Sequence, residues 1–440
     1  MGNRWSNRSN KSIMAENQQP GKYDAVLGGE NPPPVYGSVL GGIEGVKRRL
    51  SNPVEDVKLA ALSDALNYQE AGLNLVIQAL QGKSKRLERY AYKLLRKRKE
   101  TQVKQVLEHY QPWDLFERLQ GYIGYQGQHA GRFANRYVED YSSESGIENP
   151  ENTAYALRWD YDGVKRSSTE GNRPSIAEQI TSISQDSRAG KLEALIIGLW
   201  ADDTEVGSDE IVNRLVDAKN KLTNLEAIFI GDIHYQESEI SWIAQSDISP
   251  ILRAYPQLKV LQIRGGERLQ FSPPVRHNNL QTLIVETGGL SSETVAQICN
   301  LNLPALEHLE LWLGADEYGG DCTVIDIKPI LEDLIFPDLS YLGLRNSQFA
   351  DDIAEAVIKS DLIKTISVLD LSLGNLTDKG AEILLNCSDV NELDILNVSE
   401  ARLSEKMICK LAKLDCRLLA DKQETDNDYD DEYRYCAVTE

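Results

Sequence analysis

Residues 306–314 read LEHLELWLG, and this stretch decides how most of the chain folds. Successive side chains of a β-strand point to opposite faces, so Leu309, Leu311 and Leu313 share one face while Glu310 and Trp312 share the other. One such apolar edge cannot offset the conformational entropy that is lost when its backbone is ordered. The strand therefore needs similar strands beside it, with their leucines stacked in a common core.

The same pattern, L-x-x-L-x-L with Ile or Val allowed, occurs eight times. The copies open at Leu192, Leu225, Leu258, Leu280, Leu306, Leu339, Ile366 and Val390. Successive copies are 33, 33, 22, 26, 33, 27 and 24 residues apart, a range that spans one leucine-rich-repeat unit of a strand followed by a helix or loop. The pattern predicts an α/β leucine-rich-repeat solenoid, a parallel-strand horseshoe with a concave sheet and a convex helical side.

The segments between the copies supply the convex side. Their apolar residues take helical spacing, as in Ile211, Leu215 and Val216. Residues 264–280, RGGERLQFSPPVRHNNL, are an exception, because this segment holds too much Gly and Pro for a full helix.

A second pattern lies nearer the N-terminus, where the apolar period between Val54 and Tyr110 is purely helical. Short polar gaps divide it into segments that begin near Val54, Leu73, Leu87 and Val103. Four helices of this kind form two antiparallel hairpins, so the sequence predicts an N-terminal all-α HEAT-like helical domain.

These patterns divide the chain into five segments. We expect a disordered polar tail at 1–22, a HEAT-like α-helical adaptor domain at 23–119, a connector at 120–154, a leucine-rich-repeat domain with an N-terminal cap at 155–420 and a solvated acidic tail at 421–440. The cap is predicted to contain a strand at Ala156–Gly163 and a short helix at Ser175–Ile183.

Charge is distributed unevenly between these segments. Residues 1–120 hold 19 Lys and Arg against 13 Asp and Glu, whereas residues 121–440 hold 28 against 55. An acidic repeat domain repels phosphate backbones, which makes nucleic acid an unlikely ligand and favours a protein or peptide. The apolar runs are too short to span a membrane, and the first twenty residues are polar, unlike a secretory signal. The six cysteines are scattered singly, which does not indicate a disulfide framework. We therefore expect a cytoplasmic protein.

Catalytic and metal-binding motifs are weak. The five histidines have no partner at i+4 and no neighbouring cysteine pair, and the glycines at 121–131 lack the Lys-Ser/Thr that follows a phosphate-binding loop. Asp426, Asp428 and Asp430 begin like an EF-hand loop, but Asp431 and Ala437 stand where that loop needs Gly and Glu. We therefore expect no metal, no cofactor and no enzymatic activity.

The strand residues that point away from the leucines predict a partner-binding concave face. The candidates are Trp200, Phe229, Arg264, Glu286, His308, Glu310, Trp312, Tyr341, Arg345 and Asp370. Trp312 and Tyr341, with the charged pair Glu310 and Arg345, are residue types that are enriched in binding hot spots. We expect them on an exposed sheet surface, although some positions could pack only on connecting loops.

A basic stripe forms the other candidate surface. Arg86, Arg89, Lys93 and Arg96 recur at helical spacing, opposite the apolar face of their helix. The stripe has three interpretations: a solvated helix face, a docking surface for an acidic partner or for the acidic repeats of this chain, and a nucleic-acid contact.

Several longer runs resemble known sequences. EISWIAQSDISPIL, LPALEHLELWLG, YGGDCTV, YLGLRNSQFADDIA, VLDLSLGNLTDKGAEILL and RYCAVTE are similar to a bacterial leucine-rich-repeat family of unassigned function, over about residues 155–440. YDAVLGGENPPPVYGSVLGGIEGVKRRL, within residues 23–119, resembles a HEAT-like adaptor segment of cyanobacterial proteins. The resemblance implies both domains and supplies no catalytic residues.

The sequence thus predicts a non-catalytic interaction scaffold or adaptor that binds a protein or peptide on its concave face. The alternative is a substrate-holding accessory subunit of a peptide-modifying or regulatory enzyme system, in which another protein does the chemistry. A stand-alone enzyme would need paired acid and base groups in a closed pocket, which an open sheet does not readily supply.

Overall fold

The computed structural model describes residues 42–82, 84–108, 110, 127–159, 174–201, 203, 205–272, 274–423 and 436–439. The chain divides into two compact units, Met1–Pro112 and Trp113–Glu440. The predicted disordered tail at 1–22 lies outside the described residues.

The first unit is helical. Its helices are α1 (Gly42–Leu50), α2 (Glu55–Ala65), α3 (Gln69–Ala79), α4 (Lys85–Arg96) and α5 (Thr101–Glu108). The last four coincide with the predicted segments, and α1 precedes them. Ser84 begins α4 as an N-cap whose hydroxyl accepts a hydrogen bond from the Leu87 amide at 3.3 Å. Leu62, Val76 and Leu95 meet in the core of this unit. Its assignment to the HEAT type stays a prediction.

The second unit is built on one sheet whose strands follow chain order. The strands are β1 (Arg132–Phe133), β2 (Arg136–Asp140), β3 (Thr153–Leu157), β4 (Ala194–Ile197), β5 (Ala227–Ile230), β6 (Val260–Arg264), β7 (Thr282–Glu286), β8 (His308–Gly314), β9 (Tyr341–Ser347), β10 (Val368–Asp370), β11 (Ile395–Asn397) and β12 (Arg417–Leu419). β1 pairs antiparallel with β2, and every later pair is parallel. This order confirms the predicted α/β leucine-rich-repeat solenoid.

A ladder of leucines sets the register of the sheet. Leu283, Leu309, Leu342, Leu369 and Leu396 are Cα partners from β7 to β11, and each is fully buried. Each strand alone would leave this edge in water, so stacking buries what one repeat cannot.

The prediction that the eighth copy of the repeat opens at Val390 is wrong. Leu396, not Leu393, pairs with Leu369, so the last copy opens at Leu393 instead of Val390. Both frames satisfy the pattern, because apolar residues stand at 390, 393, 395, 396 and 398. Val390 is buried in a 3-10 turn, Ser388–Glu392, ahead of the strand.

The predicted connector and cap also differ from the structure. Residues expected in a connector at 120–154 include β1, β2 and the start of β3. β3 ends at Leu157, and residues 160–163 of the strand expected at Ala156–Gly163 lie outside the described residues. β2 is largely exposed and β3 is buried on both faces, so neither shows clean apolar alternation. The predicted cap helix is observed as α6 (Ile176–Gln185), begun by a capping box between Ser175 and Glu178.

Helices cover the leucine side of the sheet. They are α6, α7 (Asp209–Ala218), α8 (Ser249–Ala254), α9 (Ser292–Cys299), α10 (Lys328–Glu332), α11 (Ala350–Lys359), α12 (Asp378–Leu385) and α13 (Glu405–Leu411). Between β6 and β7 the described residues contain no helix, as the Gly and Pro content of 264–280 predicts. None of the helices that the structure describes is long and apolar enough to cross a membrane. No disulfide joins the cysteines of the described residues.

Candidate functional site

The concave face of β8 and β9 is organised around the carboxylate of Glu310. Trp312 Nε1 donates a 2.8 Å hydrogen bond to Glu310 Oε1, and Arg345 Nη1 donates a 2.6 Å hydrogen bond to the same oxygen. His308 Nε2 lies 3.3 Å from Glu310 Oε2. Strand alternation places these side chains on one face, and the parallel pairing sets Arg345 opposite Trp312.

A second carboxylate, Asp370 on β10, extends this network. Tyr341 Oη donates a 2.7 Å hydrogen bond to Asp370 Oδ2, and Asn397 Nδ2 donates to the same oxygen at 2.9 Å. Ser372 Oγ donates to Asp370 Oδ1 at 2.6 Å and accepts from Arg345 Nε at 2.9 Å. Burial, with the nearby charge of Asp370, raises the pKa of Tyr341 well above its usual value, so its phenol stays a donor.

A third carboxylate, Glu286 on β7, accepts hydrogen bonds from side chains of the neighbouring strand β6. Arg264 Nε donates a 3.0 Å hydrogen bond to Glu286 Oε2, and Gln262 Nε2 donates to Glu286 Oε1 at 3.0 Å. The Arg264 guanidinium also lies 5.2 Å from the centre of the Phe229 ring. The three carboxylates therefore form hydrogen-bonded cross-strand pairs, which offset much of the cost of burying charge.

Asp232, just beyond β5, anchors the segment that precedes β1. Its Oδ1 accepts a 2.9 Å hydrogen bond from the Ala130 amide, and its Oδ2 pairs with the Arg158 guanidinium. Burial alone would raise the pKa of Asp232, but the hydrogen bond from His129 and the charges of Arg158 and Arg264 outweigh it and lower the pKa to about 2. Asp232 is thus ionised and holds its neighbours in place at neutral pH.

Nine of the predicted concave residues face away from the leucine core, whereas Trp200 packs against it. The expectation that these residues are exposed is wrong. Nine of the ten candidates are buried, and Trp200 is half-buried. Trp312, expected to be the main exposed anchor, is only 3% exposed. The reason is that strands spaced about 4.8 Å apart bring these large side chains into contact, so they hydrogen-bond and stack on one another. The rings of His308 and Tyr341, for example, are stacked with their centres 3.8 Å apart.

Part of the cover comes from the C-terminal segment Cys436–Thr439, which we expected in a solvated tail. Asn346 Nδ2 donates a 2.5 Å hydrogen bond to the Val438 carbonyl, and Asn346 Oδ1 accepts a 3.0 Å hydrogen bond from the Val438 amide. The Ala437 amide donates to the Leu373 carbonyl at 2.8 Å. The Val438 side chain packs with Ile240, Trp312 and Leu373. The segment thus lies across the carboxyl ends of the strands.

The backbone at the strand ends is shaped to receive this segment. Ser241 Oγ donates a 2.5 Å hydrogen bond to the Thr439 carbonyl. Gly288 lies beside both, where a Cβ atom would be 2.1 Å from Ser241 Oγ and 2.7 Å from the Thr439 oxygen. Asn346 has a φ of 49°, a left-handed conformation that Asn tolerates better than most residues. We name the set Ile240, Ser241, Gly288, Trp312, Asn346 and Leu373 the tail site.

Sequence reasoning found Trp312 and missed the other members of the tail site. The one available signal was the short run CAVT within an otherwise acidic C-terminal segment. The sequence did not predict three exposed large side chains either: Val206, Tyr235 and Trp242 are 47%, 49% and 60% exposed. They lie in the loops that follow β4 and β5, and the carboxyl ends of parallel strands meet at one edge of a sheet.

The basic stripe lies on α4, within the helical unit. Arg86 Nη2 is 2.9 Å from Asp56 Oδ1, and Arg86 Nη1 is 3.9 Å from Glu55 Oε2, both on α2. Arg86 therefore already has acidic partners in its own unit. Arg89, Lys93 and Arg96 follow along the same helix.

Among the residues that the structure describes, no three His, Cys, Asp or Glu side chains are grouped so that they could hold a metal ion. Burial raises the pKa of Cys322 to about 12 and that of Cys436 to about 12. Neither thiol is a reactive nucleophile at neutral pH.

Solved structures of other proteins are similar to parts of the chain. A protein from Bacteroides fragilis is 30% identical, with a TM-score of 0.55 over 61% of this chain and 75% of that chain. An internalin from Listeria monocytogenes matches at 15% identity and a TM-score of 0.30, over 57% of each chain. No protein-family model matches the chain, and no curated protein matches it.

Proposed function

The chain belongs to the same family as the Bacteroides fragilis protein, and from this premise we propose that it is a non-catalytic scaffold that binds a protein or peptide at the concave side of its repeat sheet. The observation that carries the proposal is the exposed edge of Val206, Tyr235 and Trp242 beside the carboxyl ends of β4 and β5. Exposed Tyr and Trp are characteristic of binding hot spots.

The buried concave residues have a supporting role in this proposal. Glu310, Arg345 and Asp370 bond to one another, so a ligand gains little by contacting them directly. Their network holds β8, β9 and β10 in fixed relation, and it thereby positions the loops at the strand ends. A rigid support of this kind reduces the ordering cost of binding.

Partner capture with matched surface variants tests the proposal. The full chain, tagged and cross-linked in cells of the source organism, is compared with its Trp242→Ala and Ile325→Ala variants. Ile325 is 69% exposed and lies outside the proposed edge, so its truncation is the control. We expect Trp242→Ala to lower capture of the main partner at least tenfold, since hot-spot truncations cost about 2 kcal/mol or more, and Ile325→Ala to leave it unchanged. Equal capture by both variants would overturn the assignment of the edge.

A further inference from the structure

The chain carries a ligand-like segment of its own. Cys436 and Val438 are 5% and 3% exposed, whereas Ala437 between them is exposed. Alternate side chains of Cys436–Thr439 are therefore turned into the protein, although the segment is separated from β12 by residues 420–435 and forms no strand or helix. The buried pair provides side-chain contacts, and the backbone provides hydrogen bonds.

The hydrogen bonds to the backbone of this segment are of the kind that proteins use to bind peptides. The Asn346 amide group donates to the carbonyl and accepts from the N–H of one residue, Val438. Ser241 Oγ binds the next carbonyl, and the Leu373 carbonyl binds the preceding N–H. These are main-chain contacts, which any peptide of suitable shape can make.

Selectivity arises at one side chain. Val438 is enclosed by Ile240, Trp312 and Leu373, an apolar set that suits a β-branched aliphatic group. A carboxylate at this position would lose its hydration without gaining a partner among these three residues, which disfavours Asp or Glu there. Position 437 tolerates polar groups, because its side chain faces solvent.

We propose that the tail site is a binding site for a peptide segment of a partner protein, with a small residue followed two positions later by Val or Ile, and that Cys436–Thr439 is a competing ligand built into the chain. This inference rests on the proposed function, since it specifies the chemistry of the ligand. The tethered segment acts at an effective concentration on the order of millimolar. To displace it, a peptide of a partner protein needs a comparable concentration or further contacts outside the tail site. Trp242, next to Ser241 and 60% exposed, offers surface for such contacts.

Thiol labelling of the full-length protein tests the competition. Cys436 is buried and Cys409 is exposed, so the alkylation of Cys436 relative to Cys409, read by mass spectrometry, reports release of the segment. The probe is a peptide of residues 434–440 with Cys436→Ser, and the control probe carries Val438→Asp in addition. We expect the first peptide to raise labelling of Cys436 at least tenfold in a saturable manner and the control to have no effect. No rise at several millimolar peptide, or an equal rise with both peptides, would overturn the proposal.

A pair of chain variants provides the second measurement. Val438→Asp places a carboxylate in the apolar position, and Ala437→Asp makes the same charge change at an exposed neighbour. Binding of the fluorescein-labelled peptide is measured by fluorescence anisotropy. We expect the half-saturation concentration of the Val438→Asp chain to be at least tenfold lower than that of the Ala437→Asp chain. If Val438→Asp instead loses its near-ultraviolet circular dichroism, the segment is a structural part of the fold and not a ligand. Partner capture that depends on Trp242 would survive either failure, so the two proposals are distinguishable.

Discussion

Arg345 Nη1 lies 2.6 Å from Glu310 Oε1, and the pair bridges two neighbouring strands on the concave face. Glu310 is fully buried and Arg345 is nearly so, which means that each charge depends on the other for its solvation. Removing one partner of such a pair leaves the other charge poorly compensated in the interior, although Arg345 also lies 3.6 Å from Asp370.

We therefore expect Glu310→Ala to lower the free energy of unfolding by about 3–5 kcal/mol. The double variant Glu310→Ala/Arg345→Ala should lose less than the sum of the two single variants, because each single variant already breaks the same pair. Urea denaturation of the four proteins measures this coupling. Additive losses would show that the pair is not a coupled unit.

Trp312→Ala should lower the free energy of unfolding by about 3–5 kcal/mol, as truncations of buried aromatic residues do. Trp312 is buried, and it also donates a hydrogen bond to Glu310. Trp242→Ala is the control, since truncation of this exposed side chain should change the unfolding free energy by no more than about 0.5 kcal/mol. Similar losses in the two variants would contradict the assigned burial.

Leu309→Ala and Leu342→Ala should each destabilise the repeat unit by about 2–5 kcal/mol. The two residues are Cα partners on β8 and β9, and both are fully buried. Because they share one core, their effects should be non-additive. A neutral result for either variant in denaturant melts would place the strand register one residue away from the leucine ladder.

Acid should destabilise the repeat unit through Asp232. Its pKa is about 2 in the folded protein against 3.8 for an unperturbed carboxyl, so the ionised form stabilises the fold above about pH 4. That stability, on the order of 2 kcal/mol, is lost as the pH falls from about 4 to about 2. Asp232→Asn should remove it at neutral pH and flatten the decline of stability below pH 4. An unchanged acid profile in the variant, measured by urea melts from pH 2 to 7, would assign the decline to other groups.

The leucine pattern alone was sufficient to predict the solenoid. Its information is local, because one strand shows which side chains are apolar and alternation assigns them to a face. The prediction failed where two frames satisfied the same pattern, at Val390 and Leu393, since only pairing with Leu369 on the neighbouring strand distinguishes them. Likewise β2, largely exposed at the start of the sheet, left too weak a pattern to be recognised as a strand.

Whether the concave face is exposed or buried was decided by the tertiary structure. Alternation correctly turned Glu310 and Trp312 away from the core, but their burial depends on Arg345, which lies 35 positions from Glu310. The tail site depends on still longer separations, with Asn346 and Val438 92 positions apart and Ser241 and Thr439 198 positions apart. Sequence periodicity determines which face a side chain takes, because that property belongs to a few adjacent residues. Whether the face is open or covered depends on which distant segments meet there, and no local pattern records those contacts.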